Sequence, residues 1–212
     1  MPKVAATNAG KIGRSRAARR PARSSDSDVI RFEAKLNRPA HPTGATWTFL
    51  RLTKQASAKL RSRSMVSVEG TLNGRPFQAT LEPDGQGGHW LKVDQKLGES
   101  AGARAGDVVS LEIRALPPER EPEPQVPADV QKALAAASAH VRAAWAGITP
   151  IARRDFIHWI SSAKQAETRA RRIANACDML AKGKRRPCCF DRSGMYDKSL
   201  SCPIAAVDPA GE

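Results

Sequence analysis

The sequence predicts an α+β protein in which a small, closed, six-stranded β-barrel is followed by a C-terminal helical module. Apolar and polar residues alternate between residues 29 and 116, residues 117–126 hold four prolines, and helical spacing follows residue 127. The predicted division is a disordered basic tail (1–28), a barrel (29–116), a proline- and glutamate-rich linker (117–126), a helical module (127–186) and an irregular C-terminal tail (187–212).

The barrel prediction starts from a first strand in which apolar residues from Ile30 to Leu36 alternate with charged ones. A second run places Trp47 and Phe49 on one face and Leu50 on the other. Residues 53–61 are expected to form a short helical connection. About six short strands with turn signals between them favour a barrel, because an open sheet of this size leaves two exposed edges.

Asn73-Gly74 lies between two strand-like runs and predicts a tight hairpin, since a type I′ turn needs positive φ at both central positions. A second turn is expected at residues 83–88, and Gly106-Asp107 precedes the last strand. The linker prolines are expected to stiffen residues 117–126, so that this segment separates the two domains and does not pack on them.

The helical module is predicted to contain three helices. An alanine-rich helix begins after Pro127, and Thr149-Pro150 starts the next, since proline suits the first turn of a helix. The last helix is expected to end at Gly183. Its predicted apolar stripe follows spacings of four and three residues. The stripe comprises Trp159, Ala163, Ala166, Ala170, Ile173, Cys177 and Leu180.

Positive charge is concentrated in two places. The formal net charge is +14; residues 1–25 carry seven basic side chains and no acid, and residues 151–192 carry eleven against four acids. Such a balance favours an acidic protein or anionic ligand as partner, with nucleic acid as the less favoured alternative. No apolar run suits a secretory signal or a membrane span, so a cytoplasmic location is expected. The oligomeric state is left open.

The candidate binding site is a charged cluster on the last helix, which comprises Lys164, Glu167, Thr168, Arg169, Arg171 and Arg172. Glu167 and Arg171 are four residues apart, so they can form an ion pair that stabilises a helix by about 0.2–0.5 kcal/mol. Arg169 and Arg172 are then left to bind a carboxylate or phosphate with their fork of donors. The alternative is a solvated helix face or a docking surface for the barrel.

A weaker candidate is the barrel mouth, where Trp47, His89 and Trp90 are expected; six strands leave an interior filled by side chains. No metal site is predicted, because Cys188, Cys189 and Cys202 supply three thiols without a nearby fourth ligand. No cofactor motif and no catalytic residues are identified.

Several strings together resemble a known family. They include the run from Val68 to Phe77, the run Gly87-Gly-His-x-Leu91, and the run from Ile157 to Ile173 with its Glu-Thr-Arg-x-Arg-Arg-Ile ending. Over residues 29–186 the chain resembles YdeI/OmpD-associated (bacteriocin-protection) proteins with a preceding β-barrel domain of unknown function. The resemblance implies a closed barrel and a helical module, and it brings no catalytic residues.

The expected function is therefore a non-enzymatic binding or stress-protection role, with bacteriocin or antimicrobial-peptide protection implied by the resemblance. The alternative is a nucleic-acid-associated accessory protein. A third hypothesis is a small-molecule enzyme that uses a groove between barrel and helices.

Overall fold

The computed structural model of the protein describes residues 28–188, 190–196 and 200–207. Apart from Asp28, the predicted basic tail lies outside the described residues. The strands of the first domain are β1 (Ile30–Lys35), β2 (Thr48–Arg51), β3 (Val66–Leu72), β4 (Arg75–Pro83), β5 (His89–Val93) and β6 (Val108–Ala115). Two short helices, α1 (Lys54–Ala58) and α2 (Gln95–Ser100), follow β2 and β5.

The six strands form a nearly closed antiparallel barrel. Their order is β1-β6-β3-β4-β5-β2. An isolated bridge between Asn37 and Phe49 joins the two outer strands, with N–H···O distances of 2.7 and 2.9 Å. The predicted α+β class and six-stranded barrel are confirmed, and the bridge pairs part of the edge that an open sheet exposes.

The barrel interior is filled by aliphatic side chains, as the alternation predicts. Each strand turns alternate residues inward, so the inward rows meet in one core. The fully buried members of this core are Leu36, Leu50, Val68, Leu72, Leu81, Leu91, Val93, Val109, Leu111 and Ile113.

The hairpin predicted at Asn73-Gly74 connects β3 to β4. Asn73 has a φ of 47° and Gly74 a φ of 78°, and the flanking residues Leu72 and Arg75 pair across the two strands. Positive φ at both central positions is the geometry of a type I′ turn, whose twist matches that of the strands. This local signal therefore fixes the register of the hairpin.

The second domain contains helices α3 (Ala128–Ala136), α4 (Ala139–Gly147), α5 (Pro150–Ser161) and α6 (Ala166–Ala181). Thr149 caps α5 and Pro150 occupies its first turn, as predicted. Gly183 follows α6 with a φ of 74°. The helices enclose a second core around Phe156, Ile160 and Leu180. Among the described residues, no helix has both the length and the apolar character that a membrane crossing needs.

The prediction of three helices is wrong, because the alanine-rich stretch is broken. Ser138 has an extended ψ of 157° and its hydroxyl accepts a hydrogen bond from Val141 N, which starts α4 as a separate helix. A serine prefers this capping position to a helix interior. The predicted apolar stripe is also interrupted: residues 162–165 separate α5 from α6, and within α6 Ala166 and Ala170 are exposed while Leu180 lies in the core.

The linker packs against both domains, which corrects the expectation that it only separates them. Residues Pro118–Arg120 form a short 3₁₀ turn. Arg120 pairs with Glu69 of the barrel, and Glu123 pairs with Arg153 of α5. Proline fixes the backbone of this segment, but its charged side chains still find partners on either side.

Candidate functional site

The two domains meet at a buried ion pair between Arg154 of α5 and Glu121 of the linker. Their side chains are 14% and 5% exposed. Arg154 also donates to Ser67 Oγ at 2.8 Å and to the Met65 carbonyl at 3.0 Å, and Ser67 in turn donates to Glu121 at 2.7 Å. Burial lowers the pKa of Arg154. One guanidinium thus connects the helical module, the linker and β3.

Asp155 forms the second charged contact of this region. Its side chain is 1% exposed and pairs with Arg186 and with Arg192, whose Nε lies 3.0 Å from Asp155 Oδ2. Burial raises the pKa of Asp155, against the lowering effect of Arg192, Arg186 and Arg154. Arg192 continues to Ser64 Oγ of the barrel at 3.3 Å. We call this set (Ser64, Glu121, Arg154, Asp155, Arg186 and Arg192) the junction.

His89 lies beside the junction and faces the barrel interior. Its Nε2 lies 3.1 Å from the Ser64 carbonyl oxygen and its Nδ1 lies 3.3 Å from Ser57 Oγ. A carbonyl only accepts, so Nε2 carries the proton and donates, which leaves Nδ1 to accept in the neutral ring. Burial lowers the pKa of His89. Ser57 and His89 are 7% and 1% exposed, so a substrate does not reach this serine–histidine pair.

The predicted barrel mouth is corrected by the positions of its two tryptophans. Trp90 alternates with the inward-facing His89 and Leu91, and therefore lies on the outer wall with Phe49 and Trp47. The C-terminal segment (of which residues 187–188, 190–196 and 200–207 are described) covers this cluster through Cys202, which accepts a hydrogen bond from Arg51 Nε at 3.1 Å. The predicted mouth residues thus contribute to an aromatic contact outside the barrel and a buried histidine inside it.

Two arginines of the predicted α6 cluster are engaged within the protein. Arg169 makes a bidentate contact with Asp129 of α3, with distances of 2.6 and 2.9 Å. Arg172 donates to the Trp159 carbonyl and to Ser162 Oγ, and its guanidinium lies 5.4 Å from the centre of the Trp159 ring. Both side chains therefore hold α6 against its neighbouring helices.

The other members of the cluster face solvent to different degrees. Lys164, Glu167 and Arg171 are exposed, and Thr168 is half-buried. Among the described residues, no ion pair joins Glu167 to Arg171. In the described part of the chain, α6 packs on α3, α4 and α5 and makes no comparable contact with the barrel strands. Ligand binding by this face stays a prediction, and the cations of the cluster that could contact a ligand are Lys164 and Arg171.

The contact of Asp129 with Arg169 predicts a pH-dependent stability. Hydrogen bonding from Arg169 lowers the pKa of Asp129 below its usual value of 3.8. The stabilisation is present above that value and is lost as pH falls through the lower, folded-state pKa. Because both side chains are partly exposed, we expect Asp129→Asn to cost about 0.5 kcal/mol at neutral pH. Chemical unfolding at several pH values checks this.

The control for this prediction is the double-mutant cycle with Arg169→Gln. The coupling energy at neutral pH should be larger than the one at acid pH, below the lowered folded-state pKa of Asp129, where the carboxyl is protonated. A coupling energy that is the same at both pH values contradicts the assignment.

A concavity with three basic side chains lies at the other end of α6. It has a volume of about 420 Å³ and is lined by Thr149, Ala152, Lys184, Arg185 and Arg186. Arg186 is paired with Asp155, and Arg185 donates to the Gly147 carbonyl at 2.8 Å. Lys184 is exposed and takes part in none of these pairs. This concavity was not predicted from the sequence, although the run Lys184-Arg185-Arg186 indicates a local concentration of positive charge.

No group of three or more histidine, cysteine, aspartate or glutamate side chains in the described part of the chain is placed to hold a metal ion. The prediction of no cofactor stays a prediction.

Two family models match the chain, one over each domain. Residues 123–183 match a family model described as "Bacteriocin-protection, YdeI or OmpD-Associated", and residues 32–113 match the model of a domain of unknown function, DUF1905. The chain is therefore similar to a DUF1905 domain over residues 32–113 and to a YdeI/OmpD-associated domain over residues 123–183. This confirms the resemblance. The match to the YdeI/OmpD-associated domain begins at residue 123 and so includes Glu123, which contacts α5. Among curated proteins, no match is found.

The junction was missed by the sequence analysis. Its residues are far apart in the chain: Arg154 contacts Ser67, 87 residues away, and Arg192 contacts Ser64, 128 residues away. The only local signal was the run Arg153-Arg154-Asp155 inside an otherwise apolar helix pattern. The C-terminal segment that supplies Arg192 lies beyond both family matches.

Proposed function

We propose that this chain is a non-enzymatic binding protein that holds an acidic protein partner on its YdeI/OmpD-associated domain. The observation that carries the proposal is an excess of exposed positive charge. Residues 127–188 contain twelve lysines and arginines and four acids. Three of the acids, Asp129, Asp155 and Asp178, are already paired with cations of the same domain.

Most of the cations that remain are exposed on α6 or next to it. Apart from those in ion pairs with described residues, the exposed cations of residues 127–188 are Lys132, Arg142, Lys164, Arg171, Lys184 and Arg185. Glu167 is the remaining acid of this range. Unpaired cations that face water attract anions over about the Debye length, roughly 8 Å in physiological salt. The concavity at Lys184 and Arg185 adds a shape that a carboxylate side chain can enter.

The family description supplies the biological role that we propose, protection of a bacterial cell against a bacteriocin from within the cytoplasm.

The junction bears on the enzyme hypothesis. The enzyme hypothesis places a substrate in a groove between barrel and helices. At the junction, the Arg154–Glu121 pair and Arg192 fill that space. Binding is therefore the role that we favour.

Two measurements on one variant test this proposal. The variant K164Q/R171Q/K184Q/R185Q removes four exposed cations, and R38Q/R75Q/K96Q/R104Q removes four from the barrel as a matched control. We expect the first to weaken binding of fluorescent polyglutamate at least tenfold, and the second to change it less than twofold. Anisotropy titration measures both.

The second measurement is survival of bacteria that produce the chain during exposure to a bacteriocin. Wild type and the barrel control should protect equally, and the α6 variant should not. Equal protection by both variants, or none by the wild type, refutes the proposal.

A further inference from the structure

The barrel carries a further, separate concentration of positive charge. Between Glu33 and Glu69 the sequence contains seven lysines and arginines and no acid. Four of these lie on α1 and on the connection from α1 to β3. We call them the cationic loop; they are Lys54, Lys59, Arg61 and Arg63. All four are exposed, and in the described part of the chain their side chains form no ion pair.

The backbone beneath these side chains is held in place. Thr53 caps α1 by accepting a hydrogen bond from Ala56 N at 3.1 Å. Leu60 packs into the barrel core, and Ser64 is buried and hydrogen-bonded to Ser62 at 2.7 Å. The four cations therefore project from a fixed surface, which lowers the entropy that a partner must remove on binding.

We propose that the cationic loop binds the phosphate backbone of duplex nucleic acid. Contacts to phosphate need only lysine and arginine, and several of them together give sequence-independent binding. Residues 54–63 contain no aromatic side chain, and single-stranded nucleic acids are usually held by stacking on aromatic rings. This composition favours a duplex over a single strand.

Two other classes of anionic partner fit this surface less well. Protein interfaces have an apolar centre, and membrane-surface segments insert apolar side chains. The one large apolar residue of the loop, Leu60, is buried. The exposed large apolar side chains of the described residues lie elsewhere, at Val108, Met195, Tyr196, Ile204 and Val207. The proposal concerns a different domain and partner from the proposed function, and it does not depend on it.

The test uses the full chain and a fluorescent DNA duplex of mixed sequence, about 20 base pairs long. The loop variant K59Q/R61Q/R63Q is compared with R75Q/K96Q/R104Q, which removes the same charge from other exposed positions of the barrel. Lys54 is kept because it lies in the first turn of α1. Binding is measured by anisotropy over a series of salt concentrations.

Each phosphate contact contributes about 0.9 to the slope of log K against log salt for a duplex. We expect the loop variant to reduce the magnitude of this slope by about 2.7. The control should leave the slope unchanged, and both variants should keep the thermal midpoint of the wild type.

Three outcomes overturn the proposal. Equal effects of the two variants show that only net charge matters. An unchanged slope in the loop variant places the contacts elsewhere, for example on the basic N-terminal residues. Loop-dependent binding that is tighter for a single strand, for polyglutamate or for phosphatidylglycerol vesicles assigns the surface to another partner.

Discussion

We expect the replacement Arg154→Ala to lower the free energy of unfolding by about 3–5 kcal/mol. The substitution leaves the Glu121 carboxylate, which is 5% exposed, without its buried cation. It also removes the donor to the Met65 carbonyl and to Ser67 Oγ. An unpaired charge in a region of low dielectric costs far more than a lost surface contact. Chemical unfolding followed by tryptophan fluorescence measures the change.

Two controls separate the charge from the size of the side chain. Arg171→Ala truncates an exposed arginine of the same module and should change stability by less than about 0.5 kcal/mol. The double variant E121L/R154M replaces the pair by apolar side chains of similar length, and we expect it to lie within about 1.5 kcal/mol of wild type. If the double variant is as unstable as Arg154→Ala, packing explains the loss and the ion pair does not.

The barrel was predictable from sequence because its signals are local. Alternation in β1 and the Asn73-Gly74 turn each depend on neighbouring residues, and each fixes which side chains face inward. Closure followed from a general argument about sheet edges, and the bridge between Asn37 and Phe49 bears it out. Alternation also placed Trp47 and Phe49 on the same face of the run that contains β2, opposite Leu50. It did not predict that Cys202 of the C-terminal segment covers them.

The candidate site was less predictable because it depends on contacts between distant residues. Helical spacing shows that Arg169 and Arg172 share a helix, but it does not show that Asp129 and the Trp159 carbonyl stand opposite them. The ends of helices were similarly ambiguous: Ser138 is compatible with a helix interior in sequence, and only the capping hydrogen bond makes it a boundary. Charge patterns thus identified the basic domain correctly but not which cations remain free.

Gly70 is the position of the barrel where a single methyl group should have the largest effect. It lies in β3 on the inward-facing row with Val68 and Leu72, and it pairs with Ile113 of β6. A Cβ atom there would lie 2.8 Å from the Ile113 Cα atom and 2.9 Å from the Glu112 carbonyl carbon, and closer still to the Glu112 carbonyl oxygen. These are backbone atoms, so β6 itself must move to make room.

We therefore expect Gly70→Ala to lower the free energy of unfolding by about 3 kcal/mol or more. Two glycine controls distinguish steric overlap from other effects of the methyl group. Gly74→Ala has no neighbour within 4 Å but a φ of 78°, and it should cost about 1 kcal/mol. Gly147→Ala, at the end of α4, also meets nothing within 4 Å and lacks positive φ, so it should be neutral or slightly stabilising.

The three variants should therefore fall in a fixed order of stability, with Gly147→Ala highest and Gly70→Ala lowest. The order follows from a physical difference: Gly74 is required for its backbone conformation, whereas Gly70 is required because the backbones of β3 and β6 approach closely there. Thermal and urea unfolding of the three proteins measure this order of stability. A Gly70→Ala protein as stable as Gly74→Ala means that β3 and β6 do not approach this closely at residue 70.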